Sequence, residues 1–401
     1  MTKASKEGQR KAPILRFKGF TDAWEQRKLG NLFNERKEKS TKGELLSVTL
    51  SNGVTKFSDL NKKDNSNIKS GNYKVVKKND IPYNSMRMWQ GASGVSSYDG
   101  IVSPAYTVLV PNRNSNSNFY AVLFKKKSIL NLFTRFSQGL TSDTWNLKYP
   151  ILKDIIVPFT NLEEQKRIFK IFNVINNLLA LYERKVKLLL QIKKYLLNNL
   201  FSEKEYPDLR FKYSKKDNWK KISLSSVLTY KNGKAHEKEI NNKGNLDLVM
   251  MNSITTEGRL ITKKKIFSPQ DTLSKNDIVI VLSDIAKGEL IGKSSVIPCD
   301  DQYVLNQRIG CLRPTSNIDS FFVSKYINQK SQYFKSHAAG TSQINLSKSD
   351  VLNCTIYIPN IDEQHYVSNF IINIEKNINF YKDKKQCFIE IKNTLLNNMF
   401  I

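Results

Sequence analysis

Residues 163–201 read EEQKRIFKIFNVINNLLALYERKVKLLLQIKKYLLNNLF, with no glycine and no proline. Apolar residues recur every seven positions at Ile168, Ile175, Tyr182, Leu189 and Leu196. A second row runs through Phe172, Leu179, Val186 and Leu200. That spacing is a heptad seam and predicts a long helix with a pairing face. At 1.5 Å per residue such a helix extends about 58 Å. Residues 362–400 repeat it as DEQHYVSNFIINIEKNINFYKDKKQCFIEIKNTLLNNMF, with Val367, Ile374, Tyr381, Phe388 and Leu395 in the seam and Ile371, Ile378 and Met399 beside them. Lys185 and Lys384 fall at matching positions next to it. Each stretch follows a proline-ended strand (Val157-Pro158, Ile358-Pro359) and opens with acids, as the helix dipole favours. The two helices are expected to pair with each other, antiparallel.

The repetition extends to the whole chain. Pro13-Ile14-Leu15-Arg16-Phe17-Lys18 with Trp24 and Leu29 returns as Pro207-Asp208-Leu209-Arg210-Phe211-Lys212 with Trp219 and Leu224. Thr141-Ser142, Asn146-Leu147, Pro158 and Glu164-Gln165 return as Thr341-Ser342, Asn345-Leu346, Pro359 and Glu363-Gln364. One offset, about 194–201 residues, fits every match, which is too long for a solenoid of small repeats and indicates one domain plan used twice. The middles, roughly 40–135 and 235–335, align poorly, so one scaffold carries two different readers. Within the halves, Tyr106–Val110 and Asp277–Leu282 read as strands and Ser320–Lys335 as short helix, giving an α+β fold with an irregular sheet. The divisions are a basic tail (1–12), a first domain (13–160), a central helix (161–203), a second domain (204–360) and a terminal helix (361–401).

Composition narrows the function. The 401 residues carry a formal net charge of +28, with 40% hydrophobic and 10% aromatic residues. Such a chain builds real cores and is not a disordered basic tail. Its charge points to a polyanion, because basic faces displace condensed counterions from phosphates; the plain alternative is a Lys-rich protein without that role. No apolar run reaches membrane-spanning length, and the first dozen residues lack the apolar core of a secretory signal. Cys299, Cys311, Cys354 and Cys387 form no Cys-x-x-Cys pair, and His236, His337 and His365 complete no ligand set. Neither structural zinc nor a disulfide framework is expected, and a reducing cytoplasm fits.

The parts of a DNA-modifying enzyme are missing. No Pro-Pro pair is present for a base-flipping amino-methyltransferase tetrapeptide, and Gly91-Ala92-Ser93-Gly94 follows no good strand. There is no P-loop. Asp154, Glu164 and Lys166 imitate a nuclease Asp…Glu-x-Lys pattern, but the second copy has His365 in place of the lysine. Glu164 and Glu363 read more simply as helix-start residues. The expectation is a binding subunit, non-catalytic by itself.

Taken together, the Pro-x-Leu-Arg-Phe…Trp openings, the Glu-Gln helix starts, Asn79-Asp80-Ile81 with Asn276-Asp277-Ile278, Ser103-Pro104-Ala105-Tyr106 and Gly139/Gly340 before Thr-Ser resemble the specificity subunit of type I restriction–modification systems. The resemblance covers about residues 13–401 and lies in the order and duplication of the motifs. It implies two similar target-recognition domains separated by two long antiparallel coiled-coil helices, with pseudo-twofold symmetry. Such a subunit reads a bipartite, asymmetric double-stranded DNA site, one half-site per domain, with helix length acting as a ruler for the spacer. It recruits two methyltransferase subunits, which carry S-adenosylmethionine and methylate adenine N6, and restriction subunits, which use ATP and Mg. The chain itself is expected to bind no cofactor and no metal. It departs from relatives that carry one recognition domain per chain. It also stops just after Phe400, so any closing segment has to come from Pro13 to Phe33.

Base readers should be bidentate side chains on loops. Candidates are Ser85, Arg87 and Gln90, with Met88 and Trp89 as candidate buried anchors beside them, then Ser283, Asp284 and Lys287, and Asn306, Gln307 and Arg308. Candidate phosphate contacts are Lys77, Lys78, Lys125, Lys126, Lys127, Lys263, Lys264 and Lys265. Two alternatives stay open on sequence alone: a two-domain coiled-coil scaffold or RNA-binding adaptor, and a stand-alone restriction enzyme.

Overall fold

The computed structural model describes residues 12–50, 52–60, 63, 68, 71–201, 203–211, 218–267, 271–285 and 288–401. Both long stretches are single helices, Leu162–Leu200 and Ile361–Asn398. Asn161 and Asn360 cap them, each side-chain oxygen accepting from the N–H three residues on, at Glu164 (2.9 Å) and Glu363 (3.0 Å). The chain divides into two compact units: one takes the chain up to Glu183 together with Asp383–Ile401, the other Arg184–Lys382. Each unit therefore holds part of both long helices, where the linear division assigns one helix to follow each domain.

The first unit is built on an antiparallel sheet with Tyr106–Pro111 between Phe33–Glu35 and Ile81–Asn84. Glu25–Lys28 pairs antiparallel with Ile156–Phe159, the strand that leads into the first long helix. Short helices Ser117–Leu123 and Lys127–Phe136 cover the sheet with Phe119, Tyr120, Phe124 and Phe133. Ile168 and Phe172 join this core from the first long helix, and Met399 and Phe400 from the end of the second. The Phe400 ring sits 6.3 Å from Trp24, edge-on, and 5.8 Å from Phe172. Leu15 N–H donates to the Asn398 carbonyl at 2.9 Å, so the opening arm does close on the last residues of the chain. Along the seam Tyr182 stacks on Phe388 (5.7 Å) and Glu183 pairs with Lys385 (3.4 Å).

The second unit repeats the plan with one more strand: Leu228–Asn232, Ile309–Pro314, Ile278–Val281 and Ser294–Val296 in that order. Lys220–Ser223 pairs with Thr355–Ile358, as the matching strands do in the first unit. The predicted helix at 320–335 is broken in two, Ser320–Gln329 and Ser331–His337. Trp219, Phe322 and Tyr326 form the core with Val367 and Ile371, and Leu200 and Phe201 enter from the end of the first long helix. Here Lys185 lies 4.8 Å above the Tyr381 ring, and Lys193 pairs with Glu375 at 2.6 Å.

In both units partner numbers fall on one helix as they rise on the other, which is antiparallel pairing. Seam positions Ile168, Ile175, Val367 and Ile374 are buried, and Tyr182, Leu189, Leu196, Tyr381, Phe388 and Leu395 half-buried. Lys193 and Lys385 interrupt the apolar rows, and each meets a carboxylate from the other helix, a polar pairing of the kind that fixes register.

Candidate DNA-recognition surface

The frame is locked by a contact made twice. Glu164 is fully buried and accepts from Nε and Nη2 of Arg16 (2.7 and 2.9 Å) and from the indole N–H of Trp24 (3.1 Å). Glu363 receives Arg210 (3.0 and 2.6 Å) and Trp219 (3.3 Å) in the same way. The neighbouring glutamines hold the short helices: Gln165 accepts from Asn116 N–H (2.8 Å), and Gln364 from Asp319 N–H (3.0 Å). Asn116 and Asp319 are themselves the N-caps of those helices. Glu164 is thus committed to Arg16, Trp24 and Thr160, while Asp154 pairs with Lys28. The two carboxylates of the nuclease-like pattern serve separate contacts. Among the described residues, no group of three or more His, Cys, Asp or Glu is arranged to hold a metal ion.

The Asn-Asp-Ile motif aims one strand in each unit. Asn79 and Asn276 have φ of +73° and +71°, a left-handed turn that asparagine tolerates better than most residues. Asp80 and Asp277 accept from the N–H three residues back (Lys77, 2.8 Å; Ser274, 2.9 Å) and from both arms of an arginine, Arg36 or Arg313. The strands they start, Ile81–Asn84 and Ile278–Val281, each end in a loop. These two loops occupy the same place in each unit and share no sequence pattern.

In the first unit Met88 is fully buried and anchors the loop. The Trp89 N–H donates to the Met86 carbonyl (3.1 Å), and its ring packs edge-on to Trp145 at 5.2 Å. Ser85 is buried and shares a hydrogen bond with Thr107 at 3.0 Å. Gln90 is half-buried and Arg87 exposed. No hydrogen bond runs from the Arg87 guanidinium to another described residue. Trp145 is not among the residues singled out from sequence; its available signal was an aromatic directly after the polar run Thr141-Ser142-Asp143-Thr144 and before Asn146.

In the second unit Ser283 donates to Asn345 (2.6 Å). Asp284 is buried, and its carboxylate accepts from the N–H groups of Ile285 and Leu290 (both 2.7 Å), stapling its own loop. Lys287 lies outside the described residues. Asn306 is buried, accepting from His236 N–H (3.0 Å) and donating to Glu237 (2.9 Å). Gln307 donates to the same carboxylate at 2.7 Å. Those two amides, Asn306 first, hold the Glu237 carboxyl below the usual range. Arg308 is exposed at φ +69°, and its carbonyl accepts from Leu282 N–H at 2.9 Å, which brings this turn beside the start of the loop that follows Ile278–Val281.

The lysines divide similarly. Lys125 donates to the carbonyls of Gly91 and Ser93, and Lys126 to that of Phe400 (2.7 Å). Lys77 pairs with Asp99 at 3.2 Å, and Lys265 stands 4.0 Å from Asp247. Lys78, Lys127, Lys263 and Lys264 are exposed. Burial, with Lys392 nearby, brings the Lys125 ammonium down to about 8.

The sequence model of the type I restriction modification DNA specificity domain matches this chain twice, over residues 21–191 and 216–388. The chain is 23% identical over 343 residues to the type I restriction enzyme MjaVIII specificity subunit of Methanocaldococcus jannaschii, covering 80% of this chain and 78% of that protein. It is 20% identical over 301 residues to the putative type I restriction enzyme MjaX specificity subunit of the same organism, covering 72% and 69%. Its fold resembles the S subunit of a type I restriction–modification system from M. genitalium (TM-score 0.62, 18% identity, 97% and 99% covered). It also resembles a chain in a structure concerned with complex assembly and conformational transition of the type I system (TM-score 0.52, 15% identity, 94% and 97% covered). Each family match falls on one copy of the internal repeat, which favours recognition over the scaffold and RNA-adaptor reading. The chain belongs to the type I restriction–modification DNA specificity family, as a specificity subunit with two tandem recognition domains.

Proposed function

We propose that this chain reads a bipartite, asymmetric site on double-stranded DNA, one half-site per unit, without catalysing a reaction itself. One observation carries the reading: a single locked frame occurs twice and bears different loops at the same place. Two methyltransferase subunits, holding S-adenosylmethionine, methylate adenine N6 at the sites chosen. Restriction subunits, using ATP and Mg, act on unmodified DNA. No helix among the described residues is long and apolar enough to cross a membrane, and the cytoplasm is the proposed location. The test is selection from a randomised duplex library by the chain in complex with its methyltransferase subunits. Two defined segments separated by unspecified positions support the reading; one continuous segment, or none, overturns it.

Arg87, exposed on an anchored loop, is the leading base reader of the first unit. Arg87→Ala is expected to relax discrimination at one base pair by about 1–3 kcal/mol. Competition binding against single-base variants of the site measures this, and uniform weakening would place Arg87 on phosphate instead.

Partner docking falls to the first long helix. In the first unit Val174 and Leu181 stand seven residues apart on this helix and are 51% and 46% exposed. Exposed apolar residues at heptad spacing are what a further helix packs against. Leu181→Glu is expected to reduce co-purification of the methyltransferase subunit at least tenfold while leaving the melting temperature of the isolated chain unchanged. Undiminished co-purification would move docking elsewhere.

A further inference from the structure

The short helix in each unit ends on the loop that we assign to base reading. Lys125 and Asn328 each stand nine residues after the N-cap of that helix, Asn116 or Asp319. Ser93 pairs with Tyr83, and Ser294 with Ile280, at equivalent rungs where the chain returns from the loop. Lys125 Nζ donates to the Ser93 carbonyl at 3.0 Å and also to that of Gly91. Asn328 donates to the Ser294 carbonyl at 3.0 Å and accepts from Ser294 N–H at 2.9 Å. The position nine residues after the N-cap, in the turn that follows the helix in the first unit and inside the helix in the second, therefore grips the equivalent backbone carbonyl in both units, with a different side chain in each.

Geometry limits what else these groups do. Gly91 has φ +88°, and a Cβ there would lie 3.4 Å from Lys125 Cδ, so the lysine stem fills the space under the loop. The ammonium is spent on two carbonyls inside the unit. Even when neutral, an amine keeps two N–H donors, enough for both. Asn328 is similarly committed, through oxygen and nitrogen alike, to one residue.

We propose that Lys125 and Asn328 are positioning residues that hold the bases of the two recognition loops, at 85–92 in one unit and at the described residues 282–285 and 288–293 in the other, and so set base discrimination at one half-site each. This rests on the recognition reading above. A loop held at its base presents its side chains with less freedom, and small misplacements cost bidentate contacts disproportionately.

The experiment compares Lys125→Met and Asn328→Ala with the parent chain, each in complex with its methyltransferase subunits. Binding is measured on the selected site, on single-base variants of each half-site, and across a salt series. Lys125→Met is expected to reduce discrimination in one half-site roughly tenfold, leaving the other half-site and the salt slope unchanged. Asn328→Ala is expected to do the same for the other half-site only. Uniform weakening with a salt slope reduced by about one would make Lys125 a phosphate contact and overturn the proposal for it. Unaltered discrimination, or equal loss in both half-sites, overturns it too. If Lys125→Met fails to fold, Lys125→Arg, which keeps donors at that place, and Asn328→Ala decide the matter by the same readouts. A parent complex that selects no bipartite site would instead refute the underlying reading.

Discussion

Replacing residues 40–146 with the corresponding segment of a relative will change one half-site completely and leave the other half-site and the spacer as they were. The segment carries the strand aimed by Asn79 and Asp80, the 85–92 loop and its Lys125 anchor. Carrying the exchange past 135 keeps Trp145 with Trp89, whose rings meet at 5.2 Å. What stays behind is the frame: Arg16, Trp24, Glu164 and both long helices. Sequencing of modified DNA from cells expressing the exchanged chain with the methyltransferase reads the outcome. A change in both half-sites would mean that the units do not read independently.

Loss of Glu363 is the second large effect. Glu363→Ala leaves Arg210, whose side chain is 6% exposed, without its carboxylate and the Trp219 N–H without its acceptor. Removing one partner of a buried pair typically costs about 3–5 kcal/mol, because the other charge stays desolvated. Urea unfolding is expected to show that loss in the transition of the second unit. The double variant Arg210→Met, Glu363→Leu removes both charges and is expected to recover most of it, since an apolar replacement of a buried pair is often neutral. A cost below about 1 kcal/mol for Glu363→Ala would remove the clamp from the account.

The long helices were legible because their signal is local and periodic: the seam positions, the absence of glycine and proline, and the acids of the first turn all lie within one stretch. The duplication was equally legible. What one dimension hides is contact. Arg16 and Glu164 were each visible as parts of motifs, yet 148 residues separate them, and nothing in their spacing says that one motif grips the other. The reader candidates suffered from a related ambiguity. Short polar residues such as Ser85, Asp284 and Asn306 suit base edges, but they equally suit the backbone turns of a loop, and these three are buried and hydrogen-bonded inside their unit. Arg87 and Arg308, by contrast, are exposed. In the run Lys125-Lys126-Lys127, only the third is left exposed, because the chain leaves one short helix and begins another there and turns the first two inward.

Single-molecule sequencing of modified bases tests the central claim most directly, in a methylation-free host carrying this chain and its methyltransferase subunit. The account predicts a bipartite N6-methyladenine motif with an unspecified spacer, absent when this chain is omitted. Methylation of a continuous motif, or the same motif without this chain, would contradict it.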